Sequence, residues 1–173
     1  RIKYTDLIEK LLSVGKFLNE RYQHLQEWFK SIHPIDDRLI SAEEGKSLQD
    51  EFYRGVSARY EHILANLDFH REQKLAEIEA GFASKNVVIV HAASGQGKTT
   101  LAYRFLHDKF PNNWRVSVIA IEDLQHALSI ATALSGHANA IQAPMAVYID
   151  VSPRDANWVD LVGQLSRHPF LKL

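Results

Sequence analysis

A chain of 173 residues with 46% apolar side chains has room for one ordinary domain or two small ones. Its net charge of −1 gives no electrostatic reason to expect nucleic-acid or anionic-membrane binding. The absence of cysteine excludes disulfides, thiolate metal sites and cysteine nucleophiles, fits a cytoplasmic setting, and no run is apolar and long enough to span a bilayer.

Residues 1 to about 80 carry helical periodicity. Tyr4, Leu7, Leu11, Val14, Leu18, Arg21, Leu25, Trp28 and Ile32 step by threes and fours, the seam of one long helix over 4–32. Ile8, Leu12, Phe17, Tyr22 and Phe29 broaden the stripe, which predicts packing against more than one neighbour. His33-Pro34 ends that helix, and Ser41 as N-cap with Glu44 at the capping-box position starts a second. The second carries Leu48, Phe52, Tyr53, Val56, Tyr60, Ile63, Leu64 and Leu67, so an antiparallel hairpin of two long helices is expected, a helical arm or linker over 1–68. A third, shorter helix spans Glu72 to Phe82.

From 86 onwards strands alternate with helices. The β-branched run Val87-Val88-Ile89-Val90 predicts a strand buried on both faces. A helix over about 98–109, a turn at Pro111-Asn112-Asn113 and a strand at Val116–Ile121 follow. Then come a helix from Leu124 to Leu134, a break at Ser135-Gly136, a strand at Ala146–Ile149 and a helix from Trp158 to Ser166. This order is α/β and predicts a parallel sheet with flanking helices over 69–173. Three strands are too few for a complete nucleotide-binding sheet, and with Arg1 at one end and Phe170-Leu171-Lys172-Leu173 at the other the chain reads as a piece of a larger protein.

The segment Ala92-Ala93-Ser94-Gly95-Gln96-Gly97-Lys98-Thr99 fits the phosphate-binding pattern G-x-x-x-x-G-K-[ST] at every fixed position but the first, where Ala92 replaces glycine. Strand, glycine-rich turn and helix surround it in the order the chemistry requires. Gly95 and Gly97 let successive backbone N–H groups converge on a phosphate, and the following helix adds its unpaired amides and the positive end of its dipole. Ala93, Ser94, Gly95, Gln96, Gly97, Lys98, Thr99 and Thr100 are therefore the predicted nucleotide-binding residues. Lys98 serves the β- and γ-phosphates and the Thr99 hydroxyl serves Mg2+.

Asp150 closes an apolar strand, where phosphate-loop enzymes hold Mg2+ opposite the loop hydroxyl. It is read here as a metal and catalytic residue, the alternative being a turn aspartate before Ser152-Pro153. Val151 follows it where a second acid would supply a general base. Glu122 and Asp123 follow the second strand, either near a γ-phosphate, with Glu122 as candidate base, or as a helix cap with first-turn charge. Arg71 begins the third helix and either contacts nucleotide or the loop, or is a solvated helix start. Histidine spacing gives no metal site, and Trp28, Trp114 and Trp158 read as core or interface aromatics.

Together, Phe69-His70-Arg71-Glu72, Val87 to Leu106 and the Asp150 strand resemble the STAND-type signalling ATPases, the superfamily that includes the NACHT and NB-ARC ATPases. The spelling Ala-Ser-Gly-Gln-Gly-Lys-Thr-Thr-Leu-Ala is similar to the bacterial branch, where an arginine–glutamate motif matching Arg71-Glu72 precedes the first strand. The resemblance covers about residues 50–173. It implies a P-loop NTPase fold, ATP with Mg2+ as cofactors, and a sensor–switch–effector protein whose ATP binding licenses homo-oligomerisation, often in antiviral defence. It also implies a sensor arginine after a fourth strand that 170–173 begins. Slow hydrolysis as a timer fits the departures at Ala92 and Val151. A small-molecule kinase and an inert NTPase remnant in an oligomerisation scaffold are the competing readings.

Overall fold

The computed structural model describes residues 30–151 and 155–173. Among these lie four strands and six helices in an α/β arrangement: β1 (Ile32–Pro34), α1 (Ala42–Tyr53), α2 (Tyr60–Leu64), α3 (Glu72–Phe82), α4 (Lys98–Lys109), β2 (Trp114–Val118), α5 (Leu124–Ile141), β3 (Met145–Ile149), α6 (Trp158–Leu165) and β4 (Leu171–Lys172). The strands form one sheet in the order β1-β2-β3-β4. β2, β3 and β4 run parallel, with Val116 opposite Val147 and Met145 opposite Leu171. β1 is antiparallel to β2, with Ile32 opposite Val118.

Strand alternation decides which helices cover which face. Met145 and Val147 of β3, with Val116 and Val118 of β2, enter a core filled by Ile130 and Leu134 of α5 and Leu161 and Leu165 of α6. The intervening Ala146 and Tyr148 face the other way, toward Leu106 and Tyr103 of α4 and Tyr60 and Ile63 of α2. α3 packs Leu75 and Ile78 against Leu101 and Phe105 of α4. The result, among the described residues, is a sheet between two helical layers, with α2 and α4 on the β3 face that carries Ala146 and Tyr148 and α3 packed on α4.

The structure corrects several expectations. Of the helix expected over 4–32, residues up to 29 lie outside the described residues, and Ile32–Pro34 is a strand rather than a helix end. The sheet is accordingly mixed rather than parallel. The second helix has its expected start, with the Ser41 hydroxyl accepting from the Glu44 N–H at 3.2 Å. The reciprocal half of the capping box is not made, because the Glu44 carboxylate is taken by Arg38 at 2.5 and 3.0 Å. Nor does this helix run to Leu67. It stops at Tyr53 before Gly55, whose φ of +83° no helix accommodates, and only the five-residue α2 follows. The long-helix hairpin is not present among the described residues.

Two further boundaries differ. The predicted strand 116–121 is shifted to Trp114–Val118, leaving Ile119 exposed. The break at Ser135-Gly136 does not occur, and α5 continues to Ile141 because Leu134 and Ala138 keep its inner face in the core. Gly136 sits on the outer face with nothing within 4 Å of a built Cβ. Gly136→Ala is therefore expected to stabilise the protein by about 0.5–1 kcal/mol, the helix-interior cost of glycine, read as a higher midpoint in urea denaturation.

Candidate phosphate-loop site

The run 87–90 is extended but is not a doubly buried strand. It is held at one end, where the Leu173 N–H donates to the Asn86 carbonyl at 2.8 Å and the Val88 N–H donates to the Leu173 carbonyl at 2.9 Å. Ile89 is 67% exposed. A groove of about 200 Å3 separates this run from β3 and is lined by Val88, Val90, Lys98, Tyr148, Asp150 and Val151 among others. β4 lies between the two at the bottom of the sheet, so the groove opens at the end where the loop begins.

Residues Ala93, Ser94, Gly95 and Gln96 form the exposed turn, and Gly97, Lys98, Thr99 and Thr100 are half-buried where it enters α4. Gly95 and Gly97 take φ of +76° and +69°, the left-handed region in which a side chain is strained. Gly97 has a second reason to be glycine, since a Cβ there meets the Arg71 Nη2 at 2.9 Å. The first intrahelical bond of α4 is the Leu101 N–H to the Gly97 carbonyl at 3.0 Å. The amides of Lys98, Thr99 and Thr100 thus belong to the helix end that has no intrahelical acceptors.

Arg71 caps the start of α3 and binds this loop directly. Its Nη1 donates to the Gln96 carbonyl at 2.9 Å and its Nη2 to the Gly97 carbonyl at 2.5 Å. Two loop carbonyls are thereby drawn outward to the guanidinium, which leaves the opposite side of each peptide, its N–H, for a ligand. The Lys98 ammonium donates to the Ala92 and Ala93 carbonyls, both at 2.9 Å. A buried ion pair anchors the segment that leads to Arg71. Arg104 of α4 donates to Asp68 at 3.0 and 2.5 Å, with side-chain exposures of 6% and 1%. The arginine also reaches the Asn66 side chain at 3.0 Å.

Asp150 stands one residue past β3, its N–H donating to the Val118 carbonyl at 2.9 Å. It lies two residues beyond Tyr148 and so on the α4 face of the sheet. Between them and the loop runs one hydrogen bond, from the Tyr148 hydroxyl to the Thr99 Oγ1 at 3.2 Å. Burial, reinforced by the Asp150 charge, pushes the Tyr148 phenol well above the usual tyrosine range. Tyr148 was not among the residues expected to act. It reads as one more apolar strand position, and the available signal was its spacing of two from Asp150, which puts both on one face.

Glu122 is placed elsewhere. It lies past β2, does not line the groove, and pairs with Lys30 at 3.0 Å on the surface. Asp123 is the N-cap of α5, accepting from the His126 N–H at 2.8 Å. His126 also sits 2.6 Å from the Ser31 hydroxyl, but its Nδ1 accepts from the Glu122 N–H at 3.0 Å. The neutral ring's proton is then on Nε2 and is directed at the serine, the wrong tautomer for a base that would activate it. Trp114 packs edge-on against His137 at 4.6 Å, and Trp158 lines the groove.

The donor set fits a nucleotide phosphate with Mg2+. A left-handed glycine turn leads to a helix N-terminus, one lysine, one hydroxyl on α4 and one carboxylate on the facing strand, and the last three line or border the same groove. Mg2+ characteristically takes one or two protein oxygens and completes its shell with water and phosphate, so Thr99 and Asp150 are a sufficient protein contribution. No group of three or more metal-ligating side chains occurs among the described residues, and no described helix is long and apolar enough to cross a membrane. No family model, curated protein or solved structure matches the chain.

Proposed function

We propose that this chain is the ATP-binding switch module of a signalling ATPase of the STAND type, in which bound nucleotide governs homo-oligomerisation and, through it, an effector. The single observation that carries the reading is the meeting of the Lys98-Thr99 helix start with Tyr148 and Asp150 across one groove, beside a loop whose carbonyls are held back by Arg71. In this reading the loop amides and Lys98 bind the phosphates, and Thr99 and Asp150 hold Mg2+, which neutralises the phosphate charge. Val151 brings no second acid to the groove, so slow turnover fits better than rapid hydrolysis. A phosphotransferase reading has no comparable support.

Calorimetric titration with ATP, with Mg2+ and with EDTA, tests the proposal. The parent protein is expected to bind, and Lys98→Ala to bind at least tenfold more weakly while keeping its thermal midpoint, since charge-assisted bonds to phosphate are each worth roughly 1.5–3 kcal/mol. Unchanged affinity in a folded Lys98→Ala protein overturns it.

A further inference from the structure

Tyr148 has a defined place in this site that no loop motif assigns. Its ring is fixed by packing: it lies on the buried face of β3 beside Leu106 and Ala146 and meets the Tyr103 ring at 5.3 Å and 67°. The position of its hydroxyl is therefore set by the sheet, and the softer partner in the 3.2 Å bond is the Thr99 side chain. A helical threonine divides between two χ1 rotamers, and donation from a fixed phenol selects the one turned toward β3. A hydroxyl oxygen has two acceptor positions and one proton. Tyr148 occupies one acceptor position, leaving the second and the proton for other partners, and the Tyr148 side chain also interacts with Asp150.

We propose that Tyr148 is a positioning residue for the cation: its hydroxyl holds the Thr99 hydroxyl in the rotamer in which Thr99 and Asp150 serve one Mg2+ together. This rests on the nucleotide reading above, and it extends that reading to a residue that touches neither nucleotide nor metal. Tyr103, a neighbouring phenol on α4, meets the Tyr148 ring edge-on, and the hydrogen bond to Thr99 is made by Tyr148. The bond also explains a tyrosine in the middle of an otherwise aliphatic strand, Met145-Ala146-Val147-Tyr148-Ile149.

The test is the ratio of ATP affinities with Mg2+ and with EDTA, measured for the parent and for Tyr148→Phe, which keeps the ring and removes only the hydroxyl. The variant is expected to match the parent in EDTA and to lose roughly 2- to 12-fold of the Mg2+-dependent gain, the worth of one hydrogen bond. In a Thr99→Val background the same change is expected to do nothing. A ratio unchanged or increased in Tyr148→Phe overturns the assignment, as packing alone does not move it. Three-bond couplings of the Thr99 methyl in the parent protein give a second reading without any variant: one χ1 rotamer is expected, and averaging over two overturns the proposal. A parent protein that binds no ATP under either condition overturns the nucleotide reading and the cation role with it, an outcome distinct from a parent that binds and a variant that equals it.

Discussion

Asp68→Ala is expected to lower stability by about 3–5 kcal/mol, because it leaves the Arg104 guanidinium buried without its main counter-charge. The magnitude follows from burial. At 6% and 1% side-chain exposure neither partner has water to fall back on, and both carboxylate oxygens of Asp68 are used by Arg104. Of the remaining contacts of Arg104, those to Asp108 and the Ile63 carbonyl are long at 3.4 Å, and the 3.0 Å contact to the Asn66 side chain is to a neutral amide that brings no counter-charge. For a domain of this size 1 kcal/mol corresponds to roughly 2–4 °C, so a fall of about 10 °C in the thermal midpoint is the reading. Replacing both partners by leucine is expected to cost much less than either single change, since a buried pair breaks about even against apolar packing. Equal losses in Asp68→Ala and in the double variant would show the ion pair to be incidental. The effect reaches the loop, because the segment that follows Asp68 carries Arg71.

Gly97→Ala is the second large effect expected, and it has two separable causes. The left-handed φ of +69° costs a non-glycine residue about 1–2 kcal/mol. The new methyl also lies 2.9 Å from the Arg71 Nη2, so the guanidinium must leave the Gln96 and Gly97 carbonyls. The loop then loses its shape as well as its stability, and ATP affinity is expected to fall by more than tenfold, as with Lys98→Ala. A cycle with Arg71→Ala separates the causes. The clash vanishes in the double variant while the backbone cost remains, so Gly97→Ala should be less damaging to stability without Arg71 than with it. If the two changes are simply additive, the close approach carries no energy.

The parts of this fold that were legible in the sequence are those written locally. The Ser41 cap, the limits of α3 and α4 and the start of α6 all depend on residues within a few positions of one another, and the structure agrees with each, α6 ending one residue short of the expected Ser166. What was illegible depends on partners far along the chain. Ile32 continues an apolar helical stride, and its place in a strand is decided by Val118, which is many residues away. Gly136 looks like a helix end until the packing of Leu134 and Ala138 on the sheet is known. The site divides the same way. Lys98 and Thr99 follow from the motif. That Arg71 seats on the loop carbonyls rather than in solvent, that Glu122 is spent on Lys30, and that Tyr148 reaches Thr99 are all consequences of tertiary placement.

The three-residue β1 ends in proline, and its register gives that proline a purpose. The Ile35 N–H points inward to the Arg115 carbonyl at 2.8 Å, so by alternation the amide position of Pro34 faces away from β2. There it has no hydrogen to offer. Among the described residues β1 is the margin of the sheet, so a foreign chain approaching there meets a rung with no donor on a short strand, and margins of that kind resist edge-to-edge aggregation. Pro34→Val would restore the missing rung. An inert margin at β1 thus closes one route by which copies of the described sheet could join edge to edge.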